Sequence, residues 1–372
     1  MLRDMLGNFG ESKLRPHAFA VDEGKLDVLR PEMRTELAEL GLFGLYGSET
    51  YGGAGLSRLS KFVAMREIAA ACPSTSMVLG AQGSLTTLPI LVHGTDEQRA
   101  HYLPKMATGE LLGCYALTEP DAGSNTDGKI SRCRQYGDKF ILNGTAAWVT
   151  NGSIADFAIV FCISSEDRSS WTAFLIDMND PKVSRKPDEK KHGLGGSRTC
   201  EFSYEQLVVD ESAVLGGVGN GKRVAFGTLA EGRISVAAQA LGMGEQAFEL
   251  AVRYATTRPV MGGLLSDQQL TRDRIAGMRL KLDLATLLTL DAIRMDPADT
   301  SLRMRASQAK VAATEAAWEV TDCAMQLHGG MGYSRDSFVE LLHRAVRAGR
   351  IYEGTSEVQR VLIQAPLILR EL

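Results

Sequence analysis

Near the end of this 372-residue chain a carboxylate stands between an aromatic residue and a glycine, in Ile351-Tyr352-Glu353-Gly354-Thr355-Ser356-Glu357. Locally the string has the chemistry of a helix N-terminus: Thr355 offers the hydroxyl of an N-cap and Glu357 is a first-turn acid, favoured there by the helix dipole. Three other segments carry groups able to bind or react. They are Leu117-Thr118-Glu119-Pro120-Asp121-Ala122-Gly123-Ser124, Trp148-Val149-Thr150-Asn151-Gly152 and Gln326-Leu327-His328-Gly329-Gly330-Met331-Gly332-Tyr333. Trp148 and Thr150 are two apart, so on a strand they face the same side. Pro120 locks its own φ and fixes the turn after Thr118, while Gly123 and Ser124 leave bare backbone. Gly329 and Gly330 do likewise, or close a helix. Arg258 precedes Pro259-Val260-Met261-Gly262, and its guanidinium fork suits a diphosphate.

Several chemistries find no support. The 6 cysteines are scattered without a Cys-x-x-Cys and the 6 histidines without a His-x-x-x-His, so no metal site is indicated. Gly217-Val218-Gly219-Asn220-Gly221 lacks the G-x-G-x-x-G spacing of a dinucleotide loop and reads as a turn. A net charge of -4 gives no general attraction to nucleic acid or anionic membrane. No apolar run suggests a membrane span. The N-terminus lacks the apolar core of a secretory signal, which points to a cytoplasmic protein, or a mitochondrial-matrix one if the chain is a processed eukaryotic form.

The elements that must position these groups fall into three blocks. Pro31 opens an amphipathic run through Met33, Leu37 and Leu40 that Gly41 stops; Leu59 to Ala71 and a helix begun at Thr95 follow. Near Cys114 the texture changes to short alternating or apolar runs, 132–136, 139–143, 157–163, 171–176 and 199–209, divided by turn residues. From Gly221 the helical period returns, with Ile275, Met278, Leu282 and Ala285 on one face and an Ala-rich stretch from Ala306 to Ala317. The expected fold is α+β: an N-terminal α-helical domain (1–113), a small central antiparallel β domain (114–219) and a C-terminal four-helix bundle (220–372).

In order and separation, the four motif segments resemble the acyl-CoA dehydrogenase family of FAD-dependent flavoproteins, from about Pro16 to the C-terminus. That resemblance implies an oxidoreductase of acyl-thioester metabolism, forming the trans-2-enoyl-CoA from an acyl-CoA. Glu353 is then the base that takes the α-proton while the β-hydrogen leaves as hydride to the flavin. The thioester carbonyl is polarised by the backbone N–H of Glu353 and a ribityl hydroxyl. The FAD contacts implied are Tyr115, Leu117, Thr118, Gly123, Ser124, Trp148 and Thr150, and, from a neighbouring subunit, Arg258, Met261, Gln269, Gln326, Gly329 and Gly330. Thr355 and Glu357 contact the adenosine half. Ser124, Arg233 and Gly354 meet the substrate. The partners implied are an electron-transfer flavoprotein and further copies of the chain, in a homotetramer.

Some positions depart from the family pattern. Gly195 replaces an Arg, Ala146 a Lys, Met261 a Phe and Asn125 an Asp, and Arg344-Ala345 stands for Arg-Asp. In some relatives the base lies on the helix near 232, where this chain has Gly232; Glu231 is one residue out of register there. These departures leave a carrier-protein-bound acyl thioester or a flavin oxidase as alternatives. Burial beside an apolar acyl chain is expected to raise the pKa of Glu353.

Overall fold

The change of hydrophobic texture near Cys114 marks the point where helices give way to a sheet. The computed structural model describes residues 1–165, 167 and 169–368, so the end of the expected bundle, 369–372, lies outside the described residues. The N-terminal helices are α1 (Leu2–Phe9), α2 (Ala18–Asp22), α3 (Pro31–Glu39), α4 (Arg58–Ala71), α5 (Pro73–Gly80), α6 (Leu88–His93) and α7 (Asp96–Ala107). Local chemistry sets several ends: Pro31 and Pro73 occupy first-turn positions, and Thr95 and Gln98 form a reciprocal capping box for α7.

From α5 to α6 the chain stays helical through a π stretch, Ala81–Thr87. The resulting 21-residue helix Pro73–His93 reaches a mean hydropathy of 1.2, so one run is apolar enough to span a bilayer, contrary to the sequence expectation. Its apolar residues are spent on the core instead, with 72% of the segment buried inside the protein.

Eight strands follow: β1 (Gly113–Ala116), β2 (Arg132–Tyr136), β3 (Lys139–Thr150), β4 (Phe157–Ser164), β5 (Trp171–Asp177), β6 (Val183–Arg185), β7 (Thr199–Asp210) and β8 (Val214–Leu215). Their order is β6-β7-β3-β2-β4-β5-β8, with β1 on β4. The sheet is mixed rather than purely antiparallel, because β4 pairs parallel with both β1 and β2. Parallel neighbours need crossover connections between distant segments, and local alternation carries no record of those. β4 is covered on both faces. Phe157, Ile159 and Phe161 meet Ile90, Leu103 and Val224 from the helices, whereas Ala158, Val160 and Cys162 meet Phe140, Phe174 and Phe202.

The C-terminal helices are α8 (Gly221–Gly227), α9 (Leu229–Thr257), α10 (Gln269–Arg294), α11 (Leu302–His328), α12 (Phe338–Val346) and α13 (Ser356–Ile368). Met278, Leu282 and Ala285 of α10 are buried as their spacing requires. Ala306, Ala309, Ala313 and Ala317 of α11 are fully buried, and an added Cβ on Gly244 of α9 would stand 3.3 Å from Ala317 Cα, so these helices approach closely.

One buried cluster joins the three blocks. Arg344 of α12 donates to Asp22 of α2 at 2.7 Å, to Glu340 at 2.6 Å and to the His192 carbonyl at 3.2 Å. Asp22 also accepts from the Gly195 N–H at 3.1 Å. One of the two carboxylates that pair with Arg344 thus comes from the other end of the chain, with Ala345 at the adjacent position. The departure at 195 has a steric reason: a Cβ there would collide with the Asp22 carbonyl. Gly195→Ala should therefore lower stability by roughly 1–3 kcal/mol, an overpacking cost, read as a shift in the denaturant midpoint at unchanged slope.

Candidate active site

Glu353 lies in the turn between the 3₁₀ stretch Arg347–Arg350 and α13. Its backbone is left-handed, φ 52°, as is that of Gly354 at φ 87°. Glycine adopts this conformation freely, whereas a residue with a Cβ is disfavoured by roughly 1–2 kcal/mol, so the surroundings must impose it. Two buried side chains do so. Lys310 of α11, 1% exposed, donates from Nζ to the carbonyls of Tyr352, at 2.6 Å, and Gly354. Gln359 of α13 donates to the carbonyls of Glu353 at 2.9 Å and Gly354 at 3.1 Å. The Tyr352 hydroxyl donates to Gln239 of α9 at 3.3 Å, and Gln239 donates to the Ser76 carbonyl at 2.9 Å. Thr355 caps α13, accepting from the Val358 N–H at 3.3 Å, with Glu357 exposed in the first turn.

The turn aims the carboxylate at α9, where Gly232 leaves a gap. A Cβ on Gly232 would collide with Glu353 Oε2 and lie 3.0 Å from its carboxyl carbon. Glu231, one position away, is drawn off into an ion pair with Arg58. Glu353 Oε2 is sealed from solvent and has no hydrogen-bond partner among the described residues; the same holds for Nε of Arg233, which is 4% exposed. Burial raises the Glu353 pKa to about 7, against the lowering influence of Lys310 and Arg233. Burial also lowers Lys310 to about 8 and Arg233 to about 10. The Glu353 N–H has no acceptor among the described residues. A half-buried carboxyl poised near neutrality, with one oxygen sealed from solvent and without a hydrogen bond, has the properties of a general base.

The sheet supplies a second group of candidates. Tyr115 lies in β1, and its hydroxyl donates to the Ala225 carbonyl at 2.8 Å, tying the sheet to α8. Leu117 packs on the helix-facing core beside it. The Thr118 carbonyl accepts from the Ala147 N–H at 2.9 Å, which brings 118 alongside Trp148. The next residue, Glu119, is buried and accepts from Lys129 Nζ at 2.5 Å and the Ile130 N–H at 2.6 Å, closing the loop that carries exposed Gly123 and Ser124. Burial opposes the ionised form of Glu119, yet the Lys129 and backbone bonds outweigh it and hold the pKa below the ordinary value.

Trp148 and Thr150 are not placed on one face by simple strand alternation. β3 bulges against β7 between Ala146 and Val149, and Trp148 has a left-handed φ of 58°. The bulge leaves the Trp148 ring 62% exposed while Thr150 is partly buried. A bulge inserts a residue into one strand and re-aims its side chain, so alternation does not carry through it.

The remaining candidates gather elsewhere, at the ends of α9 and α11. Tyr254 and His328 stack at 4.4 Å, joining the segment of Arg258 and Met261 to the turn of Gly329 and Gly330. Arg258, Met261, Gln269, Gln326, Gly329 and Gly330 are exposed, and added Cβ atoms on the two glycines would meet nothing within 4 Å. Among the described residues none of these six is hydrogen-bonded to the Glu353 turn.

The fold thus sets one face of a mixed sheet against helices, with an exposed Trp on a bulge and a carboxyl facing a glycine gap. Sequence models of the acyl-CoA dehydrogenase N-terminal, middle and C-terminal domains match residues 1–110, 114–207 and 219–368. The chain belongs to the acyl-CoA dehydrogenase family. It is 37% identical over 373 residues to the mitochondrial short-chain specific acyl-CoA dehydrogenase of Bos taurus, covering 99% of this chain and 89% of the relative. The solved butyryl-CoA dehydrogenase of Megasphaera elsdenii superposes with a TM-score of 0.94 at 33% identity, covering 99% of this chain and 97% of that one. An acyl-CoA dehydrogenase of Bacillus anthracis, solved complexed with FAD, gives a TM-score of 0.93 at 28% identity, covering 100% and 66%.

Lys310, Gln239 and Gln359 belong to no motif that singles them out. Lys310 does leave one trace: it is the single charged residue among the buried positions of α11, in step with Ala306, Ala313 and Ala317. The glycine gap also generates a prediction. Gly232→Ala should keep the fold but displace the Glu353 carboxylate, lowering turnover roughly 10- to 100-fold, the scale of an ångström-sized misplacement. Steady-state kinetics beside a thermal melt checks it.

Proposed function

We propose that the chain is an FAD-dependent dehydrogenase of short-chain acyl-CoA thioesters, with Glu353 as the base. The observation that carries this reading is the Glu353 carboxyl beside Gly232, its Oε2 sealed from solvent and unpaired among the described residues, with its pKa raised by burial to about 7. FAD, when bound, supplies the acceptor for the electron pair that leaves with the β-hydrogen. Glu353 takes the α-proton, and its unpaired backbone N–H donates to the thioester carbonyl, where negative charge develops.

The residues present fit that cofactor. Trp148 offers an exposed aromatic wall, Thr118 and Thr150 offer hydroxyls near it, and the segment from Tyr115 through Leu117 presents backbone. Gly123 and Ser124 leave room for the substrate's pantetheine arm as well as the flavin edge. Arg258, Met261, Gln269, Gln326, Gly329 and Gly330 form a cationic, glycine-lined patch that serves a neighbouring subunit's diphosphate and adenosine, while Thr355 and Glu357, at the start of α13, contact an adenosine half from the Glu353 turn. Arg233 and Gly354 line the acyl-thioester entrance. The domains that build the site are 1–113, 114–219 and 220–372. Exposed Leu280, Leu284, Leu287 and Leu288 on α10 supply an apolar face for further copies, in a tetramer. An electron-transfer flavoprotein receives the electrons.

The short-chain assignment rests on side chains that occupy the space left by small ones. Added Cβ atoms would collide with the Tyr46 ring at Gly83 and lie 2.5 Å from Gln239 Nε2 at Gly80. These glycines admit neighbouring side chains, so the region between helix 73–93 and α9 is filled rather than open to a long acyl tail. Tyr46→Ala should therefore shift preference toward longer acyl-CoA thioesters, read as a rise in kcat/KM for octanoyl-CoA relative to butyryl-CoA.

The central test is anaerobic addition of butyryl-CoA to the FAD-loaded protein. Bleaching of the flavin, without peroxide once oxygen is admitted, is the expected result. No bleaching overturns the substrate assignment, and stoichiometric peroxide identifies an oxidase. Glu353→Gln should lose roughly 10²- to 10⁴-fold in turnover, the usual share of a general base. In the unaltered enzyme kcat/KM should rise with pH through about 7 as Glu353 ionises. The limb is expected to be absent in that variant.

A further inference from the structure

The turn that presents Glu353 brings three consecutive carbonyls, of Tyr352, Glu353 and Gly354, against buried side chains. Buried peptide oxygens need donors, and a left-handed turn cannot supply them from its own backbone. Gln359 satisfies two of them as a neutral amide. Lys310 bonds the two carbonyls on either side of Glu353, and it does so with a charge, from a helix whose other buried positions are uncharged. A neutral donor would satisfy the same oxygens without the desolvation cost of an ammonium. The charge therefore calls for an explanation beyond turn closure.

We propose that Lys310 is a positioning residue for the dehydrogenation: its buried ammonium clamps the carbonyls flanking Glu353 and fixes the base in its left-handed backbone. This rests on Glu353 being the base. The other charged or titratable groups that bear on the pair are Arg233 of α9, Arg303 of α11 acting through Arg233, Glu357 of α13, and the buried hydroxyls of Tyr46, Tyr115 and Tyr352. Arg233 is the second cation facing Glu353, and it makes no hydrogen bond to the turn among the described residues. Lys310 combines charge with grip. Its cation lowers the Glu353 pKa against the burial that raises it. Removing the cation raises that pKa further, so the ionised base appears only at higher pH.

The experiment compares Lys310→Met, Lys310→Arg and Glu353→Gln in the FAD-loaded enzyme with butyryl-CoA across pH, and follows amide hydrogen exchange of residues 351–355 in the same FAD-loaded proteins without substrate. Lys310→Met should lower kcat roughly 10- to 100-fold, with KM changed less than about 3-fold, because the base is misplaced and not the binding surface. Its acid limb should move up by about one pH unit, and exchange at 351–355 should quicken. Lys310→Arg keeps the charge but cannot place one nitrogen between both carbonyls; kcat should fall with the limb held near its original pH. It serves alone if the Met variant does not fold. A Met variant with an unmoved limb, or an Arg variant with a shifted one, overturns the proposal while the base assignment stands. An acid limb that survives in Glu353→Gln overturns both.

Discussion

A carboxylate that is to abstract a weakly acidic proton must be kept out of water and still be able to ionise, and those demands conflict. At Glu353, the proposed base, both demands are met by opposing influences. Burial against α9 pushes its pKa up, and two cations, Lys310 and Arg233, pull it back, leaving it near neutrality. Each of these groups sits on a different element, so the balance exists only when α9, α11 and the 351–355 turn are docked. The close approach of α9 and α11 through alanine and Gly244 is a precondition for the chemistry as much as for the core.

Glycine does two unlike jobs around this centre. At Gly354 it allows the left-handed backbone that completes the turn. At Gly232, Gly80 and Gly83 the missing side chain is filled by a neighbour: the Glu353 carboxylate, Gln239 and Tyr46. Gly195 belongs with the second kind, since the Asp22 carbonyl occupies the space its side chain would take. The departures from the family pattern at 195 and 345 thus fall at one junction, where Arg344 gathers carboxylates from α2 and α12 and fastens the N-terminal helices and the 193–196 loop to the helix leading into the turn that carries Glu353.

The two groups of proposed cofactor residues are separated within one chain. Thr118 and Trp148 meet at the edge of the sheet, whereas Arg258 and the Gly329-Gly330 turn meet at the far end of the bundle, joined by the Tyr254–His328 stack. A dinucleotide is long enough to need both, and a second copy of the chain supplies the second group in the proposed arrangement. The exposed leucine face of α10 gives such a copy an apolar surface to cover.

The sequence alone determined the order of helices, strands and helices, because hydrophobic period and turn chemistry are local. Through the family resemblance it also pointed to Glu353, Thr355 and Arg258 as candidates, and to Gly232 as a position without the base that some relatives carry there. What it left undecided is everything that depends on distant segments meeting. The parallel pairing of β4 with β1 and β2 arises from crossovers that leave no periodic trace. The bulge that turns Trp148 outward depends on the register with β7. Lys310 is one charge in an alanine-rich helix, and only the packing of α11 against the turn brings it to the Tyr352 and Gly354 carbonyls. Ionisation was the least legible property of all: the Glu353 pKa is a sum over desolvation and charges from several helices, and only the packed structure brings those contributions to one point.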